Sequence, residues 1–341
     1  MKVAVYHSNR DIRIEERRVP EISSKELLVK VMASGICGSD VMEWYRIQKA
    51  PRILGHEIAG VIEEVGDEVN EYDVGDRVFI SHHVPCGECR YCERGHTSVC
   101  DTLRSTNFYP GGFAEYLKVP EINVEKGTYP IPDEVSYEQG VFIEPLACVI
   151  RGQDFADIGK GDEVLVIGSG ISGLLHVQLA KAKGAERVTA VDINEFRLKK
   201  AEEVGADESF HADHATKRKI KEANDGYLPN KVIVATAAKP AIRSAFELVD
   251  RGGRILLFAP TEPEETINLP LWNVWKDEVS IVTSYAAGEK EINEAIELIA
   301  DGSVKVEPMI THVLPLDEAE KGFKLVDEAK ESIKVILKPH E

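Results

Sequence analysis

The chain has 341 residues, which exceeds the usual size of a single hydrophobic core, so two domains are expected. Its residues are 43% hydrophobic, which is enough for a large buried interior. Its formal net charge of −18 at pH 7 opposes binding to phosphate backbones, which excludes nucleic acid as a partner. No stretch approaches the roughly 18 consecutive apolar residues of a membrane span, and residues 1–5 run into charged residues, so we expect a cytoplasmic protein with no membrane partner.

The first part of the chain, from residue 1 to about 130, has the pattern of a β-rich domain. Short runs of β-forming residues, such as 27–31 and 58–62, are separated by Gly and Pro turns. From about residue 162 the pattern changes to strand, Gly-rich turn, long helix and strand, which is the βαβ order of a parallel sheet. These elements are expected at 164–167, 171–183, 188–191 and 195–204.

Later segments complete most of a dinucleotide-binding sheet. Strands are expected at 232–235, 254–258 and 279–282, with a helix at 241–248. A helix at 289–300 and extended pieces at 311–313 and 334–337 follow. We infer that this tail returns to the first domain, and the predicted fold class is α/β.

A glycine-rich turn predicts the cofactor site. Residues 168–173 fit G-x-G-x-x-G, after the apolar strand 164–167 and before a helix, so the helix N-terminus faces the phosphates of a dinucleotide. The glycines allow the tight turn, the close approach of the backbone to the pyrophosphate and the helix-to-strand packing. The expected cofactor contacts in this turn are Gly168, Gly170, Ile171, Ser172 and Gly173.

Asp192 indicates which dinucleotide binds. It lies 24 residues after Gly168, at the end of the strand 188–191, where a carboxylate can accept hydrogen bonds from the adenosine ribose and repel the 2′-phosphate of NADP. NAD is therefore expected, with NADP disfavoured. Arg197, one helical turn further on, either reaches the ribose or stays solvated. The alternative for the whole segment is a Gly-rich turn followed by a surface aspartate.

Four closely spaced cysteines predict a structural metal site. Four thiolates within 15 residues leave no position for water, which favours a closed tetrahedral zinc site over a secreted disulfide framework. An iron–sulfur cluster or a redox dithiol are the alternatives. The ligands are Cys86, Cys89, Cys92 and Cys100.

A second set of possible zinc ligands is dispersed along the chain: Cys37, His56, Glu57 and Glu144. Three protein ligands leave a fourth position for water or a substrate alkoxide. Glu144 lies in the apolar run 140–148, where a carboxylate is costly to bury without a partner. Taken singly, these residues also fit an ordinary core thiol, a hydrogen-bonded histidine and a surface acid.

With these residues the sequence resembles the medium-chain dehydrogenase/reductase superfamily, specifically its zinc-containing alcohol, sorbitol and threonine dehydrogenases. The resemblance runs over essentially the whole chain, and its landmarks occur in family order at 37–40, 55–57, 75–78, 86–100, 111–116, 144–146 and 168–173. It implies a GroES-like β-rich catalytic domain over 1–146, with a structural zinc lobe at about 82–105. A Rossmann NAD-binding domain over 147–285 and a C-terminal return over 286–341 complete the implied fold.

The resemblance also implies roles for single residues. Cys37, His56 and Glu57 match catalytic zinc ligands, and Glu144 is either a ligand or the holder of the zinc-bound water, since relatives differ over which glutamate is the third ligand. Ser39 matches the hydroxyl that passes the alcohol proton outward. Lys334 and Arg197 match basic residues that contact the cofactor, Lys334 at the pyrophosphate. Two zinc ions per chain and NAD are the implied cofactors.

The sequence departs from the pattern at one position of the proton relay. Many sorbitol and threonine dehydrogenases carry histidine where this chain has Met42, which cannot relay a proton. His83 resembles an active-site histidine of threonine dehydrogenases and either takes over part of the relay or contacts substrate. The alternative is that His82 and His83 are loop residues beside a structural metal. Cys148 is expected to be a small buried hydrophobe.

The predicted reaction transfers a hydride from a secondary alcohol to NAD. Polar residues near the expected mouth of the site, Trp44, Tyr45, Arg46 and Asn107, favour a hydroxylated or anionic small molecule. A polyol or sugar alcohol is the leading substrate class, followed by threonine or a general secondary alcohol. The retained zinc-binding residues argue against a non-catalytic relative and a zinc-free quinone-type reductase. A homodimer or homotetramer, associating through the strand near 279–282, is expected.

Overall fold

The computed structural model describes residues 1–341 and divides into two compact units. The first unit comprises residues 1–147, 286–300 and 310–341, and the second comprises residues 148–285 and 301–309. Residues 301–309, which the sequence pattern assigned to the C-terminal return, thus lie in the second unit. None of the helices combines the length and the apolar character that a membrane crossing requires.

The strands follow the β-branched and apolar segments of the sequence. They are β1 Lys2–Ser8, β2 Asp11–Glu16, β3 Leu27–Ile36, β4 Arg52–Ile53, β5 Glu57–Val65, β6 Arg77–Ile80, β7 Tyr116–Val119, β8 Thr128–Pro130, β9 Glu163–Ile167, β10 Arg187–Asp192, β11 Glu208–His211, β12 Lys231–Val234, β13 Arg254–Leu257, β14 Ser280–Thr283, β15 Ile310–Pro315 and β16 Lys334–Lys338.

Most helices lie between these strands. They are α1 Glu43–Arg46, α2 Asp101–Ser105, α3 Glu121–Gly127, α4 Tyr137–Gly140, α5 Ile143–Ala156, α6 Ile171–Ala182, α7 Glu195–Glu203, α8 Lys217–Ala223, α9 Lys239–Leu248, α10 Leu271–Lys276, α11 Glu289–Ala300 and α12 Ala319–Glu328.

The first unit is built on a sheet with the order β15-β16-β3-β5-β6-β8, in which β7 also pairs with β3. Strand β3 lies between β16 and β5 and is antiparallel to both. Buried side chains from β3 and β5, among them Val29, Val31 and Ile58, form its core. The C-terminal strand β16 thus lies inside this sheet, as the inferred return of the tail requires.

The second unit contains a six-stranded parallel sheet with the order β11-β10-β9-β12-β13-β14. This is the 3-2-1-4-5-6 order of a dinucleotide-binding sheet. Its central strand β9 carries Val164, Leu165, Val166 and Ile167, all buried, as expected for a strand that is covered on both faces. The predicted α/β fold with a Rossmann-type sheet is confirmed.

The apolar run around Glu144, to which no element was assigned from the sequence, begins helix α5. Glu144 lies in the first turn of this helix, where the helix dipole favours an acidic side chain. Pro145 also lies in the first turn, where a missing backbone N–H costs little. The apolar run therefore forms the buried first turn of helix α5, and Glu144 lies at the N-terminal end of this helix.

Candidate active site and metal centres

The four-cysteine lobe folds into a compact cluster within the first unit. The four Sγ atoms lie within 4.8 Å of one another, with Cys86–Cys100 and Cys89–Cys92 both at 3.6 Å and Cys86–Cys92 at 4.0 Å. Zinc–sulfur bonds of about 2.3 Å in a tetrahedron require S–S separations of about 3.8 Å. Gly87, at φ +87°, reverses the chain between the first two cysteines. The donor set and its spacing therefore fit a closed zinc site.

A second cluster brings together Cys37, His56 and Glu57, whose ligand atoms also lie within 4.8 Å of one another. Cys37 follows β3, and Glu57 begins the neighbouring antiparallel strand β5, where it pairs with Gly35. This register carries the three donors to one end of the two strands. Thiolate, imidazole and carboxylate are all zinc donors, and a set of three leaves one position open.

Asp40 orients two members of this cluster. It is fully buried, accepts a hydrogen bond from the Cys37 backbone N–H at 3.1 Å, and lies 3.5 Å from His56 Nδ1. Burial raises the pKa of Asp40, but the charges of His56 and Arg46 outweigh burial and hold that pKa below its ordinary value. An ionised carboxylate at Nδ1 leaves the other ring nitrogen of His56 for a metal.

Glu57 has a further partner besides Cys37 and His56. The Lys334 Nζ donates to its Oε2 at 2.5 Å, with both side chains buried, and also lies 5.5 Å from the centre of the Phe142 ring. A Cβ atom on Gly35 would lie 2.4 Å from that carboxylate oxygen, so only glycine leaves room for the pair. Lys334, which the resemblance places at the pyrophosphate of the cofactor, is thus enclosed and ion-paired with Glu57.

Glu144 lies outside the cluster of Cys37, His56 and Glu57 and lines a small pocket. The sequence left open whether Glu57 or Glu144 is the third ligand. The cluster in the structure contains Glu57 and does not contain Glu144. The pocket is lined by Ser81, His82, His83, Glu144, Ala147, Ala287 and Ile292.

Two histidines line this pocket, and one of them, His82, packs against His56. The ring centres of His82 and His56 are 4.9 Å apart, and those of His82 and His83 are 3.7 Å apart. Burial, aided by the neighbouring charges, lowers the pKa of His83 to about 4 and places the pKa of His82 well below its ordinary value. Both rings are therefore neutral near pH 7. His82, which was expected from the sequence only as a loop residue, lines this pocket.

Ser39 is held by an arginine that the sequence placed only near the mouth of the site. Arg46 donates from Nη2 to Ser39 Oγ and from Nε to the Ser39 carbonyl oxygen, each at 2.9 Å. Its Nη2 also lies 3.3 Å from Asp40 Oδ1. The guanidinium thus fixes the Ser39 hydroxyl, and the hydroxyl hydrogen remains free to donate elsewhere.

The glycine turn of the second unit has the geometry of a phosphate cradle. Gly168, at φ +97°, follows β9, and Gly170 is the N-cap of α6, which begins with Ile171 and Ser172. A Cβ on Gly173 would lie 1.8 Å from the Gly168 carbonyl oxygen. The turn therefore requires glycine, and the first N–H groups of α6 face outward for an anion.

Asp192 is buried at the end of β10 and lies next to the glycine turn. Its two carboxylate oxygens accept from the backbone N–H groups of Ser169 at 2.6 Å and Asn194 at 2.9 Å, and each oxygen keeps lone-pair capacity for ribose hydroxyls. Arg197 lies 3.9 Å from the position of a Cβ on Gly170, and its buried Nε has no hydrogen-bond partner. The residues expected at the cofactor in this unit are thus grouped around one turn.

The comparisons with known proteins agree with this arrangement. Residues 23–133 match the alcohol dehydrogenase GroES-like domain, and residues 172–301 match the zinc-binding dehydrogenase family. "Probable D-xylulose reductase A" of Aspergillus fumigatus is 33% identical over 96% of this chain and 93% of its own length. Sorbitol dehydrogenase of Bacillus subtilis is 33% identical over 100% of this chain and 98% of its own length.

A solved structure extends the likeness to three dimensions. The 2R,3R-butanediol dehydrogenase of Bacillus subtilis superposes with a TM-score of 0.87, at 26% identity, over 99% of both chains. Both family matches, the curated relatives and the fold point to the same group. The chain belongs to the zinc-containing medium-chain dehydrogenase/reductase superfamily.

Proposed function

We propose that this protein oxidises a secondary hydroxyl group of a small polyol or sugar alcohol, with NAD as the hydride acceptor. The observation that carries the proposal is the three-donor cluster of Cys37, His56 and Glu57, which adjoins His82 and the pocket that His82 lines. An open metal position beside polar side chains suits a substrate with several hydroxyl groups. The names of the sorbitol, xylulose and butanediol relatives support the same substrate class.

Zinc fits both clusters, which gives two ions per chain in this proposal. At the cysteine lobe the ion has a structural role, because four thiolates complete its coordination. At the three-donor cluster, bound zinc lowers the pKa of a coordinated hydroxyl group. Asp40 holds His56 in the orientation that this coordination needs.

The proton of the substrate hydroxyl is assigned to Ser39. Arg46 occupies one acceptor position of Ser39 Oγ, and the remaining lone pair receives the proton while the serine hydrogen is passed outward. Met42 cannot carry the proton further, so its next acceptor is solvent. Glu144 and His83 line the pocket and contact the substrate.

The cofactor proposal rests on the second unit. When NAD is bound, its nicotinamide ring accepts the hydride. The glycine turn and the first N–H groups of α6 receive the pyrophosphate, and Asp192 receives the adenosine ribose. The unpartnered Nε of Arg197 supplies a further donor to the same part of the cofactor. The charge of Asp192 disfavours the 2′-phosphate of NADP.

A β-hydroxy amino acid such as threonine is the second candidate substrate. The observation in its favour is His83, which lines the pocket beside Glu144. A threonine substrate also needs a partner for its carboxylate. The two cationic side chains at the cluster are already paired, Arg46 with Ser39 and Asp40 and Lys334 with Glu57. The polyol therefore remains the better supported substrate.

The proposal is tested by the initial rate of NADH formation by zinc-loaded protein. The panel contains polyols, sugar phosphates, threonine and simple secondary alcohols, with NADP measured in parallel. We expect the highest kcat/KM for a polyol with NAD, and two zinc ions per chain by elemental analysis. A protein that holds a single zinc, on the cysteine lobe, and oxidises nothing in the panel would contradict the proposal.

We further propose that the protein is a homodimer joined through β14. This strand is an edge of the parallel sheet, and its exposed backbone is available for pairing with a second copy. Trp272 and Trp275 of the nearby segment α10 are 66% and 72% exposed, and Ile281 of β14 is also exposed. Light scattering tests this, and a monomeric mass would contradict it.

A further inference from the structure

His82 lies between a metal ligand and the pocket. It follows β6, and its ring packs between the rings of His56 and His83, at centre-to-centre distances of 4.9 and 3.7 Å. The edge of Phe108, 6.5 Å away, limits the ring on another side. These contacts hold the plane of the His82 ring without using its nitrogen atoms.

The Nδ1 atom of His82 is buried and has no hydrogen-bond partner in the chain. A buried polar atom without a partner lowers stability unless a ligand supplies the missing bond. The same residue lines the pocket together with Glu144. His83 and Glu144, by contrast, make other interactions within the chain. His82 is therefore the lining histidine whose ring nitrogen is left for a ligand.

We propose that His82 binds the hydroxyl group next to the one that is oxidised, so that the site selects vicinal diols. This inference rests on the proposed function, because the reacting hydroxyl is taken to lie at the metal beside His56. The carbon that neighbours the reacting carbon then comes close to His82, whose ring is in contact with His56. An imidazole nitrogen either donates to or accepts from a hydroxyl, depending on the tautomer of the ring.

This assignment makes His82 a specificity-determining residue. A mono-alcohol leaves the buried Nδ1 unpaired in the complex, whereas a vicinal diol satisfies it. Sites that hydrogen-bond a substrate hydroxyl discriminate strongly against analogues that lack it, because the buried polar group then stays unpaired. The diol therefore gains in kcat/KM relative to the matching mono-alcohol.

The experiment compares full-length, zinc-loaded wild-type protein with His82→Phe and His82→Asn. Phenylalanine keeps the ring packing and removes both nitrogen atoms, while the asparagine amide keeps a polar atom near the position of Nδ1. The substrates are 2R,3R-butanediol and 2-butanol, with saturating NAD. The dissociation constant of the diol for the NADH-bound protein is measured by calorimetry, and zinc content by elemental analysis.

We expect His82→Phe to lower the diol-to-alcohol ratio of kcat/KM by about tenfold or more, and to weaken diol binding by a similar factor. His82→Asn is expected to restore most of both values, with two zinc ions retained throughout. An unchanged ratio, or equal losses for both substrates, overturns the assignment.

If the wild-type protein oxidises neither alcohol, the proposed function fails by itself. The calorimetric comparison then still decides the role of His82, because equal diol affinity in wild-type protein and His82→Phe overturns it.

Discussion

The Lys334 ammonium group and the Glu57 carboxylate form a fully buried ion pair, 2.5 Å apart, beside Cys37 and His56. The pair joins β16 to β5 across Gly35 of β3. Glu57 consequently pairs with the lysine and, under the proposed function, also binds the metal. The lysine keeps the buried carboxylate paired when no metal is bound. When a metal is bound, the negative charge of the carboxylate is shared between the lysine and the metal.

Removing the lysine tests this sharing of Glu57. Lys334→Met leaves a buried carboxylate unpaired, so we expect the metal-free protein to lose about 3 to 5 kcal/mol of unfolding free energy. The zinc-loaded protein should lose less, because the metal still neutralises Glu57. Urea unfolding with and without zinc measures both values.

Lys338→Met is the matched control for this variant. Lys338 lies on the same strand in a partly exposed pair with Glu138, and its removal should cost no more than about 1 kcal/mol. Equal losses for Lys334→Met in the metal-free and zinc-loaded protein would refute the shared role of Glu57.

Gly35→Ala tests the space around the same carboxylate. The new Cβ would lie 2.4 Å from Glu57 Oε2 and 3.2 Å from Lys334 Nζ, so the carboxylate must move away from the cluster. We expect the zinc content to fall from two ions towards one per chain, with the cysteine lobe still loaded. Gly38→Ala is the control, since its Cβ meets nothing within 4 Å. Full retention of both ions in Gly35→Ala would contradict this expectation.

Arg46 variants test how Ser39 is held. The guanidinium makes two hydrogen bonds to Ser39 from different nitrogen atoms, which a lysine cannot reproduce. Both Arg46→Lys and Arg46→Ala should therefore lower kcat, by roughly tenfold or more, if Ser39 handles the substrate proton. Steady-state kinetics with the best polyol measures the effect. A lysine variant with wild-type kcat would mean that charge alone suffices.

His176 makes the stability of the second unit depend on pH. Burial lowers its pKa to about 3, and its ordinary value is 6.5. Below pH 6.5 His176 is protonated in the unfolded chain but stays neutral in the folded chain. The free energy of unfolding therefore decreases as the pH falls towards the folded-state pKa. Between pH 7 and pH 5 this single residue should cost roughly 2 kcal/mol. Urea unfolding of wild type and His176→Gln at both pH values measures it, and parallel losses in the two proteins would refute it.

Asp192→Asn tests the choice of cofactor. The amide oxygen still accepts one of the two backbone hydrogen bonds, but the charge that repels a 2′-phosphate is removed. The ratio of kcat/KM for NADP over NAD should rise by about tenfold or more, which corresponds to about 1.4 kcal/mol. A ratio that does not change would show that cofactor choice lies with other residues, Arg197 first among them.

Local features of the sequence predicted most of the fold and part of the site. The parallel sheet was predictable because strand, glycine turn and helix follow one another over residues 164–183, and these elements appear as β9 and α6. The cysteine lobe was predictable because its donors lie within 15 residues. Helix α5 was not assigned, because a short apolar run has no distinguishing period.

Contacts between distant segments were beyond prediction from the sequence. Lys334 and Glu57 are 277 residues apart, and nothing in either local pattern indicates the other. The role of Arg46 at Ser39 and the packing of His82 on His56 likewise depend on how loops fold onto the sheet. Only the adjacent pair His82 and His83, ahead of the lobe, gave a signal that a polar pocket was near.

The position of β16 has a consequence for the order of events during synthesis. The cysteines of the lobe and the three donors at Cys37, His56 and Glu57 leave the ribosome early, but the strand that neutralises Glu57 comes from the last part of the chain. The whole parallel sheet is made in between and can fold first as a unit. A nascent chain is therefore able to assemble its cysteine lobe locally. The cluster of Cys37, His56 and Glu57, in contrast, lacks the lysine partner of Glu57 until β16 pairs with β3.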